Sequence, residues 1–480
     1  MKSPTSRSNT PIYVYVGGIV VLFVAMAFYT RRLDAAKREQ GLGEATIGQI
    51  DTGSFMLKLA LLGGARGVAA NVLWIRAEEL KRAHEWDRLK ATIDLITKLQ
   101  PHFLSVWTFQ GWNLAYNVSV EWDAPEDKYD WIKQGIKFLK EGVAKNGKSP
   151  DLVWDTAWTY YHKLGFSDES IVLRKLFRED EEEPFKTYTD LRTGTPKPCD
   201  DNFQLGYGWF SNAIKQVDDG AVRIAATGFE AGSEFVDKPE QHKGKPGDLA
   251  FRSMPAHAQT RYAERLEKES ILGYPATFGE KAPLEWGKAL DEWVIFGRHE
   301  WPAFNDDKVM VRLDDDTLPA VREKLPANAK YWTERWSNQM NYPYWKDRSD
   351  AESEREAVRA RQLFYEGTKA YKAGRFIGEK GKDGVARDGA VESFRKGLAL
   401  WDTLLKKHIP FRDDDLNLKD TGLIVRRYLS ALKQVGQPVP DDIPFQDKLK
   451  QIQADPTFDP FDVLEMIKPG AKERRPAGLR

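Results

Sequence analysis

The chain has almost no cysteine: Cys199 is the single one in 480 residues. One thiol excludes both an internal disulfide framework and a thiolate metal cage. It sits in GTPKPCDD, a proline-bearing acidic loop with no sign of an activating neighbour, so a nucleophilic role is not expected. Net charge is missing too. The 72 basic side chains balance the 72 acidic ones. No excess of Lys and Arg is left to neutralise phosphates, and nucleic acid is not an expected partner.

Catalytic motifs are equally scarce. None of the seven histidines, His84, His102, His162, His242, His257, His299 and His408, forms a helix-spaced pair with a carboxylate as in HExxH. Each reads as a surface or helix-end residue. No GxxxxGK[ST] phosphate cradle and no GxSxG elbow occurs. LLGGARGVAAN carries Gly63, Gly64 and Gly67, but its spacing is not GxGxxG and no strand precedes it. Gly64 and Gly67 are expected instead to let a helix pack closely. Acidic runs at 179–183, 314–316 and 413–415 lack the loop spacing of an EF-hand and read as solvated charge. No catalytic residue, cofactor or metal is expected.

What is present begins with an apolar run. PIYVYVGGIVVLFVAMAFY, from Pro11 to Tyr29, is uncharged over the length a helix needs to cross a bilayer. Tyr13, Tyr15 and Tyr29 stand where interfacial aromatics belong. Ala25-Met26-Ala27 could be a signal-peptidase site, but TRRLDAAKR follows directly, and positive charge there resists export. A single-pass anchor is expected, in an inner membrane, with the body on the extracytoplasmic side. After a polar linker, helix-period segments dominate: apolar residues recur three and four apart in FMLKLALLGGARGVAANVLWIRAEELKRA and WDRLKATIDLITKLQ. Strand-like alternation is rare, with DKVMVRLDD (307–315) the best case.

A repeat then emerges. Ala77 and Gly111 are 34 residues apart, flanked by Leu73, Leu80 and Pro101 in one unit and by Trp107 and Leu114 in the next. The tetratricopeptide repeat has this length and needs a small residue where its two helices approach. A third unit fits at Trp154 and Tyr161, with Trp158 in the small-residue place; a late pair places Leu363, Gly367 and Tyr371 opposite Ala390 and Phe394. The expected fold is all-α, a tetratricopeptide-like array of helical hairpins (an α-solenoid) with long insertions, preceded by one N-terminal transmembrane helix. It divides into a tail (1–10), anchor (11–29), linker (30–54), first helical block (55–165), insertion with loop and helix (166–250), second helical block (251–345), C-terminal hairpin (346–410) and a mostly irregular tail (411–480).

LGGARGVAANVLWIRAEEL, ITKLQPHFLSVWTFQGWNLAYNVSVEWD, WIKQGIKFLKEG and WDTAWTYYHKLG resemble an uncharacterised family of membrane-anchored, tetratricopeptide-like proteins of planctomycetes and related bacteria. The resemblance implies a fold and an anchor but no reaction or ligand.

In stacked hairpins the first helix of each repeat lines a concave surface that takes peptides. With Gly111 against its paired helix, Thr108, Trp112 and Tyr116 face that groove; Asn71, Trp74, Glu78 and Arg82 are their counterparts in the preceding unit, and Asp155 and Thr159 extend the set. A protein or peptide partner is therefore expected. The competing expectation is that Trp112 and Tyr116 pack against the insertion NVSVEWDAPEDKYDW. An alternative function is an enzyme, small-ligand receptor or glycan-binding module with its site in the central insertion, near Cys199, Tyr207, Trp209 and Phe210. A deep polar pocket with clustered carboxylates there would favour it.

Overall fold

A computed structural model describes residues 65–449 apart from 222, 224–245, 270–272, 275, 277, 304–305, 382–383 and 385. The expected anchor at 11–29 lies outside the described residues; among these, no helix is long and apolar enough to cross a membrane. The described chain is mostly helical, as expected, and its strands form three two-stranded antiparallel hairpins. It divides into two compact units, residues 1–159 with 216–222 and residues 160–215 with 223–480.

The first unit contains α1 (Ala65–Arg82), α2 (Trp86–Leu99), α3 (Leu104–Trp112), α4 (Pro125–Lys145) and α5 (Pro150–Trp158). Leu89, Ile93 and Ile96 recur at helical spacing on α2 and are almost wholly buried with Ala77, Leu80 and Val106. Burial of each large aliphatic stabilises by about 1.5–3 kcal/mol. Pro125, with Glu126 and Asp127 in the first turn and Lys145 in the last, suits α4 to the helix dipole.

The α3–α4 pair crosses antiparallel at glycines. A Cβ on Gly111 would lie 2.4 Å from Leu139 Cγ, and one on Gly135 would lie 2.7 Å from the Gly111 carbonyl oxygen. The small residue expected at Gly111 is thus sterically required, and Ala77 is buried at the matching place on α1. Gly67 behaves otherwise: an added Cβ would only touch Gln100 Nε2 at 3.6 Å, so it is not a close-packing glycine. After Trp112 the helix widens into a π-helical segment, Asn113–Val118, and a 3-10 turn, Ser119–Glu121.

The second unit holds α6 (Ser170–Glu179), a hairpin of β1 (Thr187–Asp190) and β2 (Thr195–Pro198), α7 (Asn202–Asp218, of which residues to 215 belong here), α8 (Pro246–Leu266) and α9 (Lys281–Arg298). Then come β3 (Trp301–Ala303), β4 (Asp306–Val311), α10 (Ala327–Met340), α11 (Tyr342–Ser353), α12 (Arg355–Lys372), α13 (Ala390–Leu405) and α14 (Asp415–Gln434). The strand expected within 307–315 is β4, paired in the register Trp301↔Val311. In the late helical pair, a Cβ on Gly367 would meet Phe394 Cδ1 at 2.8 Å, which puts the small residue of α12 at its crossing with α13.

Between α10 and α11 the chain turns at one residue: Asn341 adopts φ +48°, a left-handed conformation that Asn tolerates, and Pro343 then starts α11. In the tail after residue 411, expected to be mostly irregular, residues 450–480 lie outside the described ones and 415–434 form the 20-residue α14. Its start is one of the acidic runs taken for solvated charge: the Asp414 side chain caps the helix by accepting from the Leu416 N–H at 2.8 Å.

This unit buries ions as well as rings. Arg348 on α11 pairs with Glu264 on α8 at 2.6 Å, and its guanidinium lies over the rings of Trp286, Trp345, Tyr344 and Phe411. Arg361 bonds Glu352 and stands 4.5 Å over Trp401, while Arg174 bonds Asp201 at 2.8 Å and Asn202 at 3.0 Å.

Candidate functional site

In the first unit, Trp74 packs against Phe109 and Phe103 at ring separations of 5.0 and 6.2 Å. Glu78 is half-buried on the same stripe of α1, while Asn71 and Arg82 are exposed. Thr108 Oγ1 donates to Asp155 Oδ2 at 2.9 Å, tying α3 to α5. Trp112 is 47% exposed and stacks on Tyr116, with ring centroids 6.0 Å apart and planes 17° from parallel. Burial, helped by the Asp155 carboxylate, pushes the Tyr116 phenol well above its ordinary range, and its oxygen hydrogen-bonds Trp158.

Tyr116 therefore leans towards α5. In the insertion, Trp122 stacks on Trp131 instead. Thr159 does not join the open face: it is 3% exposed and donates to the Asp155 carbonyl at 2.9 Å. Trp158, in the expected small-residue place, stacks on Trp154 at 5.2 Å. The structure thus gathers Thr108, Trp112, Tyr116 and Asp155 into one constellation, with Trp158 as a member that the spacing argument had treated as a misfit.

The second unit holds a cleft of about 480 Å³. Its walls are Tyr188, Pro196, Lys197, Pro198 and Cys199 of the β1–β2 hairpin region, Gln204 and Tyr207 of α7, Gln259 of α8, and Glu285, Lys288, Asp291 and Glu292 of α9. Local chemistry fixes the hairpin on α7. A Cβ on Gly208 would lie 2.3 Å from Tyr188 Cζ, so only glycine lets that ring seat there. Asn212 accepts from the Leu191 N–H at 3.0 Å and donates to the Thr189 carbonyl at 2.6 Å. Asp201 caps α7 through the Phe203 N–H at 2.8 Å.

Inside the cleft, Glu285 is 5% exposed and accepts from Gln259 Nε2 at 2.8 Å and Lys288 Nζ at 2.9 Å. The Tyr207 hydroxyl donates to Glu292 Oε1 at 2.7 Å. Burial raises the Glu292 carboxyl above its ordinary value, against the hydrogen bond from Tyr207. Burial, with Asp201 and Asp200 nearby, pushes the Cys199 thiol up to about 12, so at neutral pH it is protonated and a poor nucleophile. Cys199 and Tyr207 of the expected alternative site line this cleft, whereas Trp209 and Phe210 are buried. The carboxylates of α9 were missed. Their signal was the stripe Glu285, Lys288, Glu292 at spacings of three and four, legible in EWGKALDE as one helix face.

His257 is neither the surface nor the helix-end residue it was expected to be, whereas His408 stands at a helix end, before the short helix Ile409–Arg412, but is buried there. His257 lies edge-on between Trp293 at 4.8 Å and Trp345 at 5.4 Å, where burial and the neighbouring Arg261 lower its pKa to about 3. His408 presents Nδ1 to Asp347 and Nε2 to Glu354, each at 3.0 Å. The hydrogen bond to Asp347 outweighs burial and raises its pKa to about 9, aided by Glu354. Asp347, Asp350 and His408 bring one donor atom each within 4.8 Å of one another, the grouping a metal ion would need. With both ring nitrogens already facing carboxylates, the arrangement works as an ion-paired staple: Asp347 also accepts from the Phe411 N–H at 3.0 Å, fixing the turn after α13. Comparison with family models, curated proteins and solved structures finds no match for the chain.

Proposed function

We propose that the chain is a non-catalytic scaffold of tetratricopeptide-like hairpins, carried by a single-pass anchor at residues 11–29, whose first unit holds an extended segment of a protein partner. The observation that carries this reading is the Trp112–Tyr116 stack: one ring 47% exposed, the other held by the next hairpin. An aromatic pair that is fixed before binding loses little entropy on contact, and such residues dominate binding energy at interfaces. Asp155 and Thr108 beside it supply polar groups for a peptide backbone. Full-length tagged protein captured from its native membrane should bring down the same partner set reproducibly, and Trp112→Ala should lose it. Identical capture by wild type and variant would sink this reading.

A second reading is supported by the polar cleft of the second unit, which has the size of a small-molecule site and carries clustered carboxylates. With the thiol protonated, binding is favoured there over nucleophilic chemistry. Ligand-observed NMR with a fragment library on the full-length protein tests it. A library with no member in contact with the cleft would remove this reading.

A further inference from the structure

We propose that the cleft between the β1–β2 hairpin and α9 takes a small organic cation, an aliphatic mono- or diamine, with Glu292 as its counter-ion. This rests on the reading of the cleft as a small-ligand site and adds the chemical class of the ligand. The cleft holds a negative charge that no basic side chain among the described residues balances. Lys288 is committed to Glu285 at 2.9 Å, and Lys197 to Asp190 at 2.5 Å. Glu292 receives only the neutral Tyr207 hydroxyl, at 2.7 Å, with Arg192 acting at longer range. Among the described residues, neither Glu292 nor the adjacent Asp291 is in an ion pair. A largely buried carboxylate without a counter-charge is unfavourable, and an ammonium group delivered by a ligand relieves it.

The rest of the cleft says what kind of cation. Asp291 and Glu292 are consecutive on a helix, so their side chains diverge by about 100° and do not chelate one metal ion. The volume of about 480 Å³ suits an organic molecule. The Tyr188 and Tyr207 rings and the flank of Pro196 and Pro198 offer apolar and π surface to an alkyl spacer and its charged end. Asp291, exposed on the cleft wall and diverging from Glu292, gives a second ammonium group a carboxylate of its own.

The test is calorimetric titration of the full-length protein in detergent with 1,4-diaminobutane, 1,5-diaminopentane and 1-aminobutane. A neutral diol, a monosaccharide and a dicarboxylate of similar size complete the series. The amines are expected to bind and the diol of equal length is not. Glu292→Gln should weaken amine binding by about tenfold or more with its melting temperature unchanged. Tyr207→Phe, which removes the competing neutral donor and keeps the ring, should bind amine at least as well as wild type. Equal amine affinity in wild type and Glu292→Gln overturns the assignment of the counter-ion. Binding of the monosaccharide or the dicarboxylate in place of the amines overturns the ligand class while leaving a small-ligand cleft. No binding by any compound in the series overturns the amine proposal, and a fragment library that also leaves the cleft untouched removes the underlying reading with it.

Discussion

The two units solve the same problem, packing helix on helix, with different chemistry. In the first, α3 and α4 meet at bare backbone, Gly111 and Gly135, with Leu139 filling the gap and aliphatic rows on α2 closing the core. In the second, α8, α11 and α12 meet through Arg348, Glu264, Glu352 and Arg361, charges wrapped in aromatic rings. A glycine crossing tolerates no added atom but is indifferent to ionisation. A buried ion pair is held by partners that must both stay charged, so it is sensitive to the loss of either one. The difference is between a steric and an electrostatic lock.

The largest effect expected from breaking this contrast is in the second unit. Arg348→Met leaves Glu264 with its charge buried and one partner fewer; unfolding by denaturant should show a loss of about 3–5 kcal/mol. Hydrogen-exchange protection should fall in α8 and α11 while peptides of α2–α4 are unchanged, and a loss spread over both units would erase the contrast. Next comes Gly135→Val. Its clash is with a carbonyl oxygen that cannot swing away, so destabilisation of about 1–3 kcal/mol or more is expected, with protection lost in α3 and α4.

Acidity should then separate the units further. The folded-state pKa of His257 is pulled from 6.5 to about 3 and that of Glu264 from 4.5 to about 2. The unfolded chain therefore takes up protons that the folded chain refuses: stability full above pH 6.5 falls as pH drops from 6.5 towards 2. His408 acts on the other side. Its folded pKa of about 9 exceeds the ordinary 6.5, so the stability it adds is full below pH 6.5 and is lost as pH rises through 9. Melting curves against pH should show both slopes, with His257→Phe flattening the acid one and His408→Gln the alkaline one. Each kcal/mol corresponds to roughly 2–4 °C for a unit of this size. Unchanged slopes in the variants would assign the pH dependence to other groups. The smallest expected effect is that of Trp112→Ala on stability, about 1 kcal/mol or less, because the ring is half exposed and contributes mainly its stack on Tyr116.

Periodicity made most helices legible, and the steric logic of small residues located the crossings at Gly111 and Gly367 from spacing alone. Features set by distant parts of the chain were not legible. The cleft is assembled from a hairpin and three helices whose lining residues run from Tyr188 to Glu292, and no local pattern announces such a meeting. His257 was misplaced for the same reason, since its surroundings come from α9 and α11. The start of α14 differs: its capping aspartate is in plain view at Asp414, inside an acidic run that reads as solvated charge.

The π-helical segment at Asn113–Val118 has a consequence for how such chains are read. A wider turn holds more residues than an α turn, so every side chain beyond it is displaced around the helix axis. Asn113, Leu114 and Ala115, three neighbours in sequence, are all buried within the segment. A fixed 34-residue spacing laid on Ala77 matches Gly111, but the next small-residue place, Trp158, lies 47 residues on: the wide turn shifts which side chains face the neighbouring helix, and the longer insertion after it shifts the count.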